Sequence, residues 1–371
     1  MIAFLLSIFL AQGVSDVSIV IGMEGPANSF SVNEENLGMR LVIRHTNATG
    51  GVHGRQLIPA TRSRGSDDPV EQQITNARLL VEEDDAFLLF NFGGPASVQI
   101  GDYAMKNDVP YLFPHTALLT VDGDRHVFTS YPRYEGESRA MLTYLSRDRG
   151  IDRIAIIHAP NIYGEYFAGR AKSLADDLDY HFVGAQALAS NAGSATAEMA
   201  HLKTLKPDAV VIALYPEGAR KVVEAKAALD WNVPLVSSGP LTDEQYLNIA
   251  GGRAEGTLGF CHYPDPNESD APGVATYRKL MAEYFPGHEL NRYSLYGYVF
   301  GRLVIEGLER AGRDLTRNAF LDGMESIRGW NSGGILPPVS FSRTDHHAQD
   351  AGFICELEDG RFKPLTDWLA P

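Results

Sequence analysis

The sequence predicts an α/β fold, and three observations carry the prediction. Apolar runs of strand length recur at Val17–Gly22, Phe87–Phe92, Arg153–Ala159, Ala209–Leu214 and Pro234–Ser237. Most are followed by a segment of helical period, so strands and helices alternate. The runs at Phe87–Phe92 and Ala209–Leu214 are apolar throughout, the pattern of central parallel strands covered by helices on both faces.

Taken in order, the chain opens on MIAFLLSIFLA, almost wholly apolar and too short for the ~20 residues that span a bilayer. It reads as the core of a signal peptide over residues 1–13, with a buried first strand as the other reading. Ala11-Gln12-Gly13 supplies the small residues of a cleavage site and gives a mature chain from Val14, although no Lys or Arg precedes the apolar run. No cysteine follows the leader, so the lipoprotein route is closed. The first secure strand is Val17–Gly22. A helix over Glu35–Thr49 then ends in Asn47–Leu57, NATGGVHGRQL, where Gly50 and Gly51 offer the left-handed conformation that closes a helix and Gly54 permits a second tight turn before a new strand.

Further helices are expected at Pro69–Glu82, Ser97–Asn107, Glu137–Arg149, Gly164–Asp177, Pro216–Leu229, Pro272–Phe285 and Ser294–Ala311. Asp68-Pro69 is an N-cap with proline at the first helical position, and Lys206-Pro207-Asp208 is a stop before a strand. The connections at Tyr131-Pro132 and Tyr263-Pro264-Asp265-Pro266 suit passages between domains and are placed as hinges.

Composition narrows the function. At 371 residues and 44% hydrophobic content the chain buries sizeable cores and suggests two domains. A net charge of −15 with no Lys/Arg cluster excludes a nucleic-acid partner. The only cysteines, Cys261 and Cys355, fall in expected strands at Gly259–Tyr263 and Phe353–Glu356. They form neither a redox pair nor a zinc cage; buried free thiols are the expectation and a disulfide stays open. There is no GxSxG elbow, no P-loop, no GxGxxG after the first strand and no HExxH. His346-His347 reads as a solvated loop rather than a metal site. Neither a catalytic constellation nor a cofactor motif is present, so an enzyme is not expected.

The segment NATGGVHGR resembles the "N-x-x-G-G-[IV]-x-G-[RK]" stretch of type I periplasmic solute-binding proteins of the leucine/isoleucine/valine-binding kind. The likeness continues in order through Gly25-Pro26, Gly94-Pro95-Ala96-Ser97, Val109-Pro110-Tyr111, Tyr163-Gly164-Glu165, Tyr215-Pro216-Glu217 and Ala254-Glu255-Gly256. It implies two Rossmann-like lobes with parallel sheets, a three-crossover hinge and a ligand cleft between the lobes. The expected division is lobe 1 at 14–132 with 266–342, and lobe 2 at 133–265 with 343–371.

Carried over position by position, the resemblance puts an aromatic wall at Phe30 and an anion grip at Ser97, at a helix start where free N–H groups favour negative charge; an ordinary N-cap is the other reading of Ser97. The segment gripping the ligand's charged end falls on His115, Thr116 and Ala117, and the facing tyrosines fall on Tyr163 and Tyr215. Where amino-acid binders carry an acid, this chain has Leu241, and Asp243 or Glu244 takes that role only if the loop shifts; both are otherwise helix N-terminal acids. An altered clamp of this kind suits a carboxylate with an apolar or aromatic body, or an amide, as well as an amino acid. The resemblance thus implies a periplasmic, soluble substrate-binding protein of an ABC importer, serving an inner-membrane permease by hinge closure. A ligand-sensing regulator or receptor domain of the same fold is the alternative.

Overall fold

The computed structural model describes residues 11–25, 29–62, 70–91, 94–117 and 125–369. Met1–Leu10 of the leader, Pro26, the Asp68-Pro69 helix start and Phe92 lie outside the described residues. The chain divides into two units: one comprises the chain up to Tyr131 with Asp270–Gln349, the other Pro132–Ser269 with Asp350–Pro371. It therefore passes between them three times.

In the first unit, β1 (Ser18–Glu24), α1 (Phe30–Ala48), β2 (Gln56–Arg62), α2 (Val70–Glu82), β3 (Leu88–Phe90), α3 (Ser97–Lys106), β4 (Tyr111–Leu112) and β5 (Val127–Phe128) alternate as expected. The five strands form an all-parallel sheet in the order β2-β1-β3-β4-β5. Helix α1 starts earlier than its apolar period suggests, because Ser29 caps it by accepting from the Val32 N–H. Its end follows the glycine signal: the Gly51 N–H reaches the Thr46 carbonyl at 2.8 Å, and Gly51 has φ +74°. A Cβ there would stand 2.0 Å from the Arg55 carbonyl oxygen, so only glycine fits.

In the second unit, α4 (Tyr134–Thr143) runs into a single π-helical turn at Tyr144–Asp148, followed by β6 (Arg153–His158), α5 (Ile162–Ser173), α6 (Ala175–Leu178), β7 (His181–Ala187), α7 (Thr196–Thr204), β8 (Ala209–Ala213), α8 (Pro216–Ala228), β9 (Leu235–Ser237), α9 (Glu244–Ala250) and β10 (Leu258–Cys261). The chain then returns to the first unit as α10 (Pro272–Tyr284), α11 (Arg292–Ala311) and α12 (Arg317–Glu325), and closes the second with β11 (Phe353–Glu358) and β12 (Arg361–Pro364). The second sheet has seven strands in the order β12-β11-β10-β9-β8-β6-β7, all running in one direction except β11, which is antiparallel to both β10 and β12.

Strand β8 shows why an unbroken apolar run suits this place. Val210 and Ile212 enter the core beneath α7, α8 and α9, while Ala209, Val211 and Ala213 enter the core beneath α4 and α5. Both faces are dry, so no position in the strand tolerates a polar side chain.

Two expectations are corrected here. Cys261 and Cys355 are not free thiols but a disulfide, with Cα atoms 6.1 Å apart. Antiparallel pairing of β10 with β11 brings them within reach, a long-range register that spacing along the chain does not reveal. His346 and His347 are not solvated either. His346 is buried and stacks on Phe128 at 4.1 Å, and His347 Nδ1 meets Thr129 Oγ1 at 2.8 Å. Backbone bonds from Thr129 N–H to the His346 carbonyl and from Ala348 N–H to the Thr129 carbonyl hold 346–348 beside β5. These contacts place 343–349 with the first unit, where the sequence reading had them in the second lobe.

Candidate functional site

The polar end of the first unit is built around Glu35. It sits on the buried stripe of α1 with Val32, Met39 and Val42, and its side chain has no exposed surface. Glu35 Oε1 accepts from His115 Nδ1 at 2.6 Å and from the Tyr131 hydroxyl at 2.9 Å, and those two partners lie 3.0 Å apart. His115 keeps about a quarter of its side chain exposed, at 28%. Its ring stands 5.0 Å from Tyr131 and 6.2 Å from Tyr293, which packs edge-on to Phe30 at 6.0 Å. An imidazole oriented by a buried carboxylate and flanked by two aromatic rings, with a third packed behind Tyr293, is the result. It lies where α1 and α11 begin and where the chain leaves β4.

Behind it runs a buried amide network: Asn36 Nδ2 donates to the Glu24 carbonyl at 2.8 Å and Gln73 Nε2 to Glu24 Oε1 at 3.2 Å. These bonds occupy polar groups left at the end of β1, so the strand ends form a fixed platform rather than a mobile loop.

The second unit offers an aromatic surface. Tyr163 is buried, its hydroxyl bonded to Ser238 Oγ, and its ring lies 5.3 Å from Tyr134, 5.4 Å from Phe167 and 5.6 Å from Tyr215. Tyr134 also contacts Tyr166 at 5.9 Å. Tyr215 is the exposed member, just over half accessible, with its hydroxyl accepting from Asn161 Nδ2 at 3.3 Å. Burial pushes the Tyr163 hydroxyl well above its ordinary pKa, and the nearby Glu137 carboxylate adds to the effect. Burial does the same to Tyr134, again with Glu137 contributing. These hydroxyls therefore act as neutral donors and acceptors. Beneath them, Glu137 Oε1 accepts from the Gly239 N–H at 2.6 Å and ties α4 to the loop after β9.

The structure sorts the residues singled out from sequence. In the first unit Phe30 and His115 come together, joined through Tyr293. Thr116 and Ala117 follow His115 half-buried, with the Thr116 N–H turned back to the Pro114 carbonyl at 2.8 Å. In the second unit Tyr163 and Tyr215 come together. Ser97 does open α3, but it makes no side-chain cap: it is buried and its hydroxyl donates to the Gly94 carbonyl at 2.8 Å. Leu241 has no accessible surface and packs in the core with Val222, Leu235 and Tyr246, so it has nothing to present to a ligand. Asp243 is the N-cap of α9, accepting from the Tyr246 N–H at 2.9 Å.

Sequence reasoning missed Glu35, Tyr131, Tyr293, Tyr134 and Tyr166. Glu35 had a legible signal, an acid on the apolar face of an amphipathic helix. Tyr131 and Tyr134 flank the Pro132 passage already marked as a hinge. Tyr293 had none, because its neighbours Phe30 and His115 are distant in the chain.

Two parallel-sheet units, each presenting aromatic and hydrogen-bonding groups near helix starts, define a solute-binding protein. The profile of the periplasmic binding protein family matches residues 17–361, and the chain belongs to that family, in its type I, Leu/Ile/Val-binding class. Among similar proteins is a Leu/Ile/Val-binding protein homolog 3 from Brucella melitensis, 22% identical over 311 residues and 82% of each chain. Solved structures of the same fold include a branched-chain amino acid ABC transporter protein from Thermus thermophilus with bound valine, at TM-score 0.82 and 16% identity, covering 96% of each chain. A fatty acid ABC transporter substrate-binding protein from Thermomonospora curvata also has TM-score 0.82, at 18% identity, covering 98% of this chain and 95% of that one.

Proposed function

We propose that this chain is the extracytoplasmic solute-binding protein of an ABC importer, capturing a small carboxylate with an apolar or aromatic body by hinge closure and delivering it to an inner-membrane permease. The observation that carries the ligand class is the pairing of site chemistries within the two units. The first unit offers a carboxylate-oriented imidazole, which in its doubly protonated form gives Nδ1–H to Glu35 and carries a second N–H suited to an anion. The second offers stacked tyrosines, suited to an apolar body. With Leu241 in the core and Asp243 spent on a helix cap, neither position supplies the acid that an α-ammonium requires. Valine and a fatty acid, the ligands named for the two solved relatives, share a carboxylate and an apolar body and little else. The groups of the first unit suit the carboxylate and those of the second the apolar body, with amides and amino acids the next classes to try.

Location in the periplasm is supported by the signal-like leader and by the Cys261–Cys355 disulfide, which persists in an oxidising compartment. Among the described residues no helix is long and apolar enough to cross a membrane. Expression in a Gram-negative host followed by osmotic shock tests the assignment. Release of a disulfide-bonded chain beginning at Val14 is expected; an uncleaved chain held in the cytosol would instead favour a sensor.

A further inference from the structure

The first unit also holds a cavity of about 530 Å³, walled by α1, α10, α11 and the loop at Trp330–Gly333. Small-molecule pockets have volumes of ~300–1,000 Å³. Its residues on α1, from Val42 to Thr46, lie about two to three helical turns past Glu35, ~10–16 Å along the axis. It is therefore distinct from the surface made by Glu35, His115, Tyr131 and Tyr293.

Arg302 gives this cavity its chemistry. Half-buried in the wall, it donates from Nη1 to the Ser332 carbonyl at 3.0 Å, and its guanidinium carbon lies 5.0 Å from the Trp330 ring centre and 5.5 Å from that of Tyr298. Among the described residues no carboxylate forms an ion pair with it. The two acids on the same cavity wall are already engaged, Glu306 with Arg310 at 2.6 Å and Glu309 with His53 at 3.3 Å. Arg62, Arg125 and Arg220, also half-buried, each pair with two carboxylates, while Arg55, Arg153 and Arg317 form no ion pair among the described residues but each donate to two backbone carbonyls, where Arg302 donates to one. A half-buried guanidinium without counter-charge carries a desolvation cost, and its planar fork of donors matches a carboxylate. Val42, Leu280 and Pro272 complete apolar walls beside the indole.

We propose that this cavity is a second ligand site, taking an organic monoanion with a flat apolar body, such as an aromatic carboxylate. Its charge pairs with Arg302 and its ring lies against Trp330 and the apolar wall. A single cation flanked by Glu306 and Glu309 selects one negative charge over two.

Titration of benzoate into the full chain, followed by calorimetry and by tryptophan fluorescence, tests this. The wild-type chain takes benzoate at the proposed solute site as well, so the cavity is read in Tyr215→Ala: one saturable site is expected to remain there, which Arg302→Met weakens tenfold or more and Trp330→Phe deprives of its fluorescence response. If Arg302→Met melts below the working temperature, Arg302→Lys is the second variant: it keeps the charge, loses the fork and should still weaken benzoate. Absence of saturable binding to the wild-type chain would overturn the proposal. So would full affinity of the remaining site when Arg302→Met or Arg302→Lys is added to Tyr215→Ala, or loss of all benzoate binding in Tyr215→Ala alone, which would assign benzoate to the tyrosine surface instead.

Discussion

His115 is the residue on which the first unit's binding chemistry turns. Glu35 fixes its ring from below and Tyr131 from the side, so little rotamer freedom remains to be lost when a ligand arrives. His115→Phe takes a donor from the buried Glu35 carboxylate, so it should lower the melting midpoint and, assayed below that midpoint, bind its carboxylate at least tenfold more weakly, as calorimetry would show. The tyrosines make a prediction about pH. Tyr111, Tyr134 and Tyr163 all hold their protons above the ordinary range, burial being the first cause in each. An unfolded tyrosine titrates near ~10. Stability is thus intact below that pH and falls above it, by up to ~1.4 kcal/mol per pH unit for each such residue. Urea unfolding at rising alkaline pH should show this decline, with a shallower slope in Tyr163→Phe; stability flat through that range would contradict the assignment. At this scale the sequence was partly readable. Phe30, His115, Tyr163 and Tyr215, carried over from the family resemblance, lie in two aromatic groups, and Asp243 is the helix N-terminal acid that an unshifted loop implies, whereas Leu241 is turned into the core, because one residue of a short 3₁₀ turn decides whether a side chain faces the core or the surface.

Among the elements, the packing of α1 on α11 governs where Glu35 sits. A Cβ on Gly297 would lie 1.8 Å from the Glu35 carbonyl oxygen, and one on Gly38 would lie 2.1 Å from the Ser294 carbonyl oxygen. The helices cross this closely only because both positions are glycine. Gly297→Ala should therefore cost ~1–3 kcal/mol in urea unfolding and weaken ligand binding as well, since the helix it displaces carries Glu35. The cross-strand disulfide is the second constraint. It joins residues 94 apart, and replacing both cysteines by serine should lower unfolding free energy by ~2–4 kcal/mol; a variant as stable as the parent would mean the bond does not form. Long elements buried on one or two faces, such as β6, β8, α8 and α11, were legible because period and burial coincide over many residues. The helices α7, α9 and α12 and the strands β5 and β12 were not read from sequence, each too short for a period to establish itself, so that tertiary packing rather than local preference defines it. Strand β7 was missed for another reason: it lies at the sheet's edge, no position in it is fully buried, and it carries no apolar run.

For the molecule as a whole, the chain builds two separate sheets while crossing between them three times, so each unit takes its residues from segments far apart in sequence. The proline-bearing passages near Tyr131 and Pro266 were visible as breaks. The last passage, after Gln349, carried no such signal and was placed early, because the pairing of Thr129 with 346–348 is a long-range event. What this arrangement is for is best tested by thermal unfolding of the purified chain against apolar and aromatic carboxylates, amides and α-amino acids. A ligand at a thousand times its dissociation constant adds ~4 kcal/mol to native stability, a clear rise in midpoint. The account predicts, in an Arg302→Met background that silences the second site, a rise with carboxylates that lack an α-ammonium, lost on adding either His115→Phe or Tyr215→Ala. No rise with any compound would contradict solute binding itself, and a rise with α-amino acids alone would overturn the ligand class while leaving the family role in place.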